Sequence, residues 1–180
     1  MELHDQFFKI AIDAIAREDA DLRVLFELNQ GKYGDHHHGV GVLFESTYVY
    51  LAYKQLLSEK FPAKAIWECS YPSNKGQHAD LGLMVDGRLT SLIEFKLWTK
   101  ESDQQIVTDI EKLHSEKEAV NKWLFVLSFG GNKKENLEYL ISRNPTLKLL
   151  RDATITSKWY DSKQCQHKLL NFDFLFFELS

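Results

Sequence analysis

The chain has 180 residues, 44% of them apolar and 13% aromatic, which is enough to bury one sizeable core and too apolar for a disordered polymer. Two cysteines, Cys69 and Cys165, are too few for a disulfide framework or a zinc knuckle, and no uninterrupted apolar run reaches the ~18 residues of a membrane span. With 22 Lys plus Arg against 26 Asp plus Glu the formal net charge is −4, so a polyanionic partner would have to be held in a localised groove, not by a uniformly basic surface.

From the N-terminus, apolar residues at helical spacing predict a helix over about Leu3 to Arg17, with Phe7, Ile10, Ala11, Ala14 and Ile15 on one stripe. A shorter helix is expected from about Asp21 to Leu28, and together the two would cover one side of a sheet. The segment Gly31 to Gly39 then holds three adjacent histidines, His36, His37 and His38. Neighbouring side chains in a loop do not converge easily on one ion, and structural zinc sites use spaced ligands. A glycine-bounded surface loop accounts for the segment, as does a weakly cationic loop that touches substrate phosphates. A strongly apolar stretch follows and predicts a helix over 40–59. Glu45 lies within it at helical spacing from Val42, Val49, Ala52 and Leu56, an acid on an apolar face.

After a strand at Ala65–Cys69, the stretch Ala79 to Trp98 reads as two apolar strands joined by a tight turn at Asp86-Gly87. Each strand carries charge where burial forbids it without a partner, a cation or a function: Asp80 on the first, Glu94 and Lys96 on the second. Side chains alternate along a strand, so Glu94 and Lys96 share a face, with Ile93, Phe95 and Leu97 on the other. Asp80 precedes Glu94 by fourteen positions. A two-residue turn would split the acids between faces, whereas a three-residue loop, Asp86-Gly87-Arg88, would set Asp80 opposite Glu94. Opposed like charges repel on a sheet, so that pairing makes sense with a cation between them. His78, two positions before Asp80, would share its face and contact substrate or a metal-bound water. Arg88 and Lys100 are the nearest cations in sequence and candidate substrate contacts.

A polar amphipathic helix is expected over Asp103 to Glu118, with Ile106, Ile110 and Leu113 inside, followed by a fully apolar strand, Trp123 to Phe129, closed by Gly130-Gly131. A helix over Glu135 to Ser142 and a short apolar segment, Leu147 to Leu150, come next. The aromatic run Phe172 to Leu179 suits either a terminal strand completing the sheet or a subunit interface, and hence a homodimer.

Asp80 followed by Glu94-Phe95-Lys96 on the next strand resembles the signature of the PD-(D/E)XK nuclease superfamily, the restriction-endonuclease-like fold. The resemblance covers about residues 40–130, with 1–39 as an N-terminal helical extension and 131–180 as a C-terminal helix and strands of the same single domain. Asp109-Ile110-Glu111-Lys112-Leu113 is similar to a segment found at this place in several branches of the family. The first acid is commonly preceded there by proline; here Ala79 takes that place, after His78. The resemblance implies an α/β fold with a central mixed sheet, core order helix-strand-strand-strand-helix-strand, flanked by helices. It also implies an Mg²⁺- or Mn²⁺-dependent endonuclease acting on DNA and leaving 5′-phosphates. In that reading Asp80, Glu94 and the Phe95 carbonyl hold the metal, Lys96 orients the attacking water and offsets charge, and Glu45 binds a second metal or its water shell. A catalytically inactive binding or assembly module on the same fold, and an RNA-directed defence nuclease, are the alternatives the same residues allow. The N-terminus lacks the cationic and apolar regions of an export signal, so a cytoplasmic protein without a membrane partner is expected.

Overall fold

A computed structural model describes residues 1–28, 39–99, 103–118, 120–129, 132–161 and 166–180. Helix α1 (Leu3–Leu28) leads through a single 3-10 turn (Val40–Val42) to α2 (Glu45–Ser58). The strands β1 (Lys64–Tyr71), β2 (Asn74–Val85) and β3 (Arg88–Trp98) follow, then α3 (Asp103–Ser115) and β4 (Asn121–Phe129), then α4 (Lys133–Arg143), β5 (Leu147–Asp161) and β6 (Gln166–Leu179). The six strands form one mixed sheet in the order β1-β2-β3-β4-β6-β5. Only the β3–β4 pair is parallel among these neighbours, and α3 is the crossover that a parallel connection requires.

Helices cover both faces of the sheet, and this explains the near-continuous apolar runs of its central strands. On one face Phe7 and Ile15 of α1 and Tyr48 and Val49 of α2 pack on Ile93, Phe95, Phe125, Phe174 and Phe176. On the other, Ile106, Ile110 and Leu113 of α3 and Leu140 of α4 pack on Leu92, Leu124, Val126 and Leu175. The ring of Phe7 lies 5.5 Å from that of Phe176 and 6.4 Å from that of Phe95. Burial of each such ring stabilises the fold by about 1.5–3 kcal/mol. The aromatic run at the end of the chain is thus internal: β6 pairs with β4 on one side and β5 on the other, and Phe174, Phe176 and Phe177 are fully buried. The side chains that suggested a subunit contact are spent on the core. Among the described residues no helix is long and apolar enough to cross a membrane.

Three local expectations change. The two N-terminal helices are one, because Glu18-Asp19-Ala20 contains no helix breaker and Asp19 is used for tertiary contact instead of capping a second helix. Its buried carboxylate accepts hydrogen bonds from the Val40 N–H at 3.0 Å and the Ser157 hydroxyl at 2.6 Å. This helix packs in the core, on the sheet face it was expected to cover. Next, the helix expected over 40–59 begins only at Glu45, with Phe44 extended at its N-cap. Glu45 therefore stands in the first turn, where the helix dipole favours an acid, rather than midway along an apolar stripe. Finally, the short apolar segment at Leu147–Leu150 opens a long strand, β5.

The hairpin reaches the expected facing by another route. Val85 pairs with Arg88 and Met84 with Leu89 across a two-residue turn, in which Asp86 (φ 48°) and Gly87 (φ 77°) take the left-handed conformation that matches strand twist. The register then shifts, and Leu83 pairs with Ser91, Gly82 with Leu92 and Leu81 with Ile93. The extra residue, Thr90, donates its hydroxyl to the Leu83 carbonyl at 3.1 Å. That bulge, not an odd loop, restores the parity which carries Asp80 to Glu94.

A second irregularity lies in the outer pair. Ala65 and Trp67 of β1 pack under α1 and α2, whereas Cys69 and Tyr71, of the same parity, pack on the α3 side. β2 does the same: Leu81 and Leu83 face α1 and α2, Ala79 faces α3. The change falls at Glu68, which has φ 46°, and at the position facing it across the ladder, Asp80. A positive φ at a residue with a Cβ is strained by about 1–2 kcal/mol. Glu68→Gly should match or exceed wild-type stability in urea unfolding, and Glu68→Val, β-branched, should lose about 1–2 kcal/mol or more. Equal loss from both substitutions would mean that the Glu68 side chain, not its backbone, is what matters there.

Candidate functional site

The polar cluster forms where β2, β3, α2 and α3 meet. Asp80 leaves β2 at the side-change, and its Oδ2 accepts a hydrogen bond from the Phe95 N–H at 2.7 Å. Glu94 lies on the α3 face of β3, almost wholly buried, and its Oε1 accepts from the Tyr71 hydroxyl at 2.7 Å. Lys96, next along that face, reaches Glu45 Oε1 at 3.0 Å and Asp109 Oδ2 at 2.9 Å. The other oxygen of Glu45 accepts from the Leu97 N–H at 2.9 Å, so the start of α2 is tied to the end of β3. Asp109 of α3, itself buried, takes a second ammonium on its free side, with Lys112 Nζ 2.7 Å from Oδ1.

The electrostatics follow from a count. Asp80, Glu94, Glu45 and Asp109 set four carboxylates against the two ammonium groups of Lys96 and Lys112. With all ionised, the described residues carry two more carboxylates than ammonium groups in this partly buried cluster. Burial pushes the Glu94 carboxyl up to about 8, and the charges of Asp80 and Asp109 add to this, while the Tyr71 hydrogen bond and Lys112 pull against it. Asp80 is raised for the same first reason, burial, with Glu45 and Asp109 contributing and the Phe95 N–H opposing. For Lys96, burial disfavours the ammonium, but the hydrogen bonds and charges of Asp109 and Glu45 outweigh it and the pKa rises. Burial, and then Glu94, raises the Tyr71 phenol, which stays protonated and donates.

Hard oxygen donors and surplus negative charge fit Mg²⁺ or Mn²⁺, and Asp80 and Glu94 are the residues that would hold it. Among the described residues no three His, Cys, Asp or Glu side chains form a ready-made cage. Such an ion would bind through two carboxylates and complete its shell with water and substrate oxygens. Glu45, which the resemblance makes a metal ligand, has both oxygens engaged by Lys96 and Leu97. Phe95, whose carbonyl the resemblance also assigns, is anchored to Asp80 through its own N–H.

Of the remaining expected contacts, His78 is exposed and paired with Ser70 in the outer hairpin. Arg88 sits at the turn, about 20 Å of strand from Glu94, and is not brought to the cluster. Lys100, His36, His37 and His38 lie outside the described residues. Three members of the cluster were not expected: Tyr71, Asp109 and Lys112. Asp109 left a trace, since it stands three positions after Ile106 on the inner arc of α3, where an acid needs a reason. Tyr71 left none, because simple alternation along β1 sends it to the wrong face.

A carboxyl with a raised pKa holds more protons in the folded than in the unfolded chain, so between pH 4.5 and about 8 Glu94 makes stability fall as pH rises. Glu94→Gln should therefore melt above wild type at about pH 8.5, with the gap closing toward about pH 4.5. Mn²⁺ should raise the wild-type melting temperature at the higher pH and leave that of the variant unmoved. A gap of constant size across the range would show that Glu94 is not the proton-holding group. No protein-family model, curated protein or solved structure matches this chain, so its chemistry is read from this cluster.

Proposed function

We propose that the protein is a metal-dependent phosphodiester hydrolase, a nuclease with DNA as the favoured substrate. The observation that carries this reading is the cluster itself: a buried and a half-buried carboxylate brought together across a hairpin, with a fixed lysine beside them and more acids than ammonium groups among the described residues. The element order supports it. Helix α2, three antiparallel strands, crossover α3 and parallel strand β4 follow the order that the PD-(D/E)XK resemblance implies, with Asp80, Glu94 and Lys96 at the corresponding positions.

In this reading Asp80 and Glu94 hold Mg²⁺ or Mn²⁺, which when bound supplies polarisation of a phosphoryl oxygen and a water of lowered pKa. Tyr71 orients Glu94 by donating to one of its oxygens. Lys96 places positive charge where negative charge develops on phosphorus. Because Glu45 and Asp109 hold its proton on, Lys96 positions and stabilises and does not act as a base. Glu45 serves as an anchor for Lys96 and for the end of β3.

The test is cleavage of plasmid, single-stranded DNA and RNA with and without Mg²⁺ or Mn²⁺. Asp80→Ala and Lys96→Ala should each lower the rate by about 100-fold or more, the scale of losing one electrostatic stabiliser. Equal cleavage by wild type and both variants would trace the activity to a contaminant and sink the assignment. Absence of cleavage together with absence of Mn²⁺ binding in calorimetry would turn the reading toward a binding module.

A further inference from the structure

The cluster contains two ammonium groups in unequal situations. Lys96 is saturated: its side chain is 12% exposed and sits between Glu45 and Asp109 at 3.0 and 2.9 Å. Lys112 is 31% exposed and held by Asp109 Oδ1 at 2.7 Å. An i,i+3 lysine–aspartate pair on a helix is ordinarily a solvated surface contact of little consequence. Here the aspartate is buried, with its second oxygen against Lys96, so the contact belongs to the interior of the site and not to the surface of α3. The charge of Lys112 also acts on Glu94, and that of Glu94 on Lys112, which sets Lys112 toward the acids.

We propose that Lys112 is the ammonium that contacts a phosphate of the substrate strand, with Asp109 as the positioning residue that holds Lys112 and Lys96 on either side of one carboxylate. This rests on the nuclease reading. A phosphate entering the cluster finds Lys96 already shared by two carboxylates. Lys112 stands closer to solvent, on a stem long enough to swing, and can engage the anion while Asp109 retains Lys96. The division is physical: one cation is locked beside the acids, and the other meets the incoming chain. Lys112 by itself carries no sequence signal, since it reads as a solvated lysine on the polar side of an amphipathic helix.

The experiment is steady-state cleavage of a labelled single-stranded oligonucleotide with Mn²⁺ over a series of salt concentrations, for wild type, Lys112→Ala and Lys112→Arg. A lost phosphate contact should raise KM by about tenfold with a smaller change in kcat, and should make the dependence of log(kcat/KM) on log salt shallower by about one unit. Lys112→Arg keeps the charge and should recover most of the loss. Asp109→Asn should impair both parameters, because it releases Lys112 and leaves Lys96 held by Glu45 alone. If Lys112→Ala melts well below wild type, Lys112→Met, which keeps the apolar stem, replaces it. Unchanged KM and salt slope in a folded Lys112 variant would overturn the assignment while leaving the nuclease reading intact. Arginine performing no better than alanine would also overturn it, by making Lys112 a structural tie to Asp109. A wild type that cleaves nothing defeats the nuclease reading itself, and this inference with it.

Discussion

Strand β3 is covered on both faces, and most of what is unusual in this protein follows from that. A strand so placed should be apolar, and on the α1/α2 side its buried residues carry no charge, with Ile93 and Phe95 fully buried. On the α3 side it carries Glu94 and Lys96. Each buried ion costs several kcal/mol unless compensated, so the surrounding elements are bound to supply partners. β1 contributes the Tyr71 hydroxyl, α2 contributes Glu45 and α3 contributes Asp109 with Lys112. Three separate segments are thereby fixed around one residue pair. Among the described residues the carboxyls outnumber the ammonium groups by two, an excess that a proton on Glu94 or a bound cation would offset, and this makes the cluster a candidate site.

The outer hairpin shows what that assembly requires of the backbone. For Tyr71 to reach Glu94, β1 has to turn over between Trp67 and Cys69, and it does so at Glu68 with a left-handed backbone. β2 turns at Asp80, so the two strands stay in register through the change. Local strain and acid placement therefore coincide at one level of the sheet, where a reversal aims an acid and a tyrosine at the same neighbour. The hairpin is held from its far side by Glu116, which receives the Ser73 N–H at 3.0 Å and its hydroxyl at 2.5 Å.

The outline of this arrangement could be read from residues alone, because charge in an apolar strand is a strong signal. Asp80, Glu94, Lys96 and Glu45 do come together, as do the apolar stripes of α1 and α3. The facing of Asp80 and Glu94 was correct although its supposed cause was not: parity arguments constrain the sum of loop and bulge residues and cannot say which supplies the extra one. What stayed hidden depends on long-range packing. The continuity of α1 rests on Asp19 being used 138 positions away, at Ser157. The side-change at Glu68 needs a backbone state that glutamate does not advertise. Lys112 looks like any solvated helix lysine until Asp109 is seen to be buried.

Asp19 also bears on how the molecule comes to be assembled. Its two contacts span very different stretches of chain, 21 residues to Val40 and 138 to Ser157. Closing the longer loop costs about 4 kcal/mol of chain entropy before any contact repays it, and such non-local closures slow folding. During synthesis α1 and α2 can meet early, joined through Val40 and by Tyr48 donating to the Val40 carbonyl. Their apolar face packs on Ile93, Phe95 and Phe125, and also on Phe174 and Phe176, which emerge 159 or more residues later than Phe7 and Ile15. A growing chain can therefore cover that face in part once β3 and β4 are made, and completes the cover only when β6, the last strand, arrives.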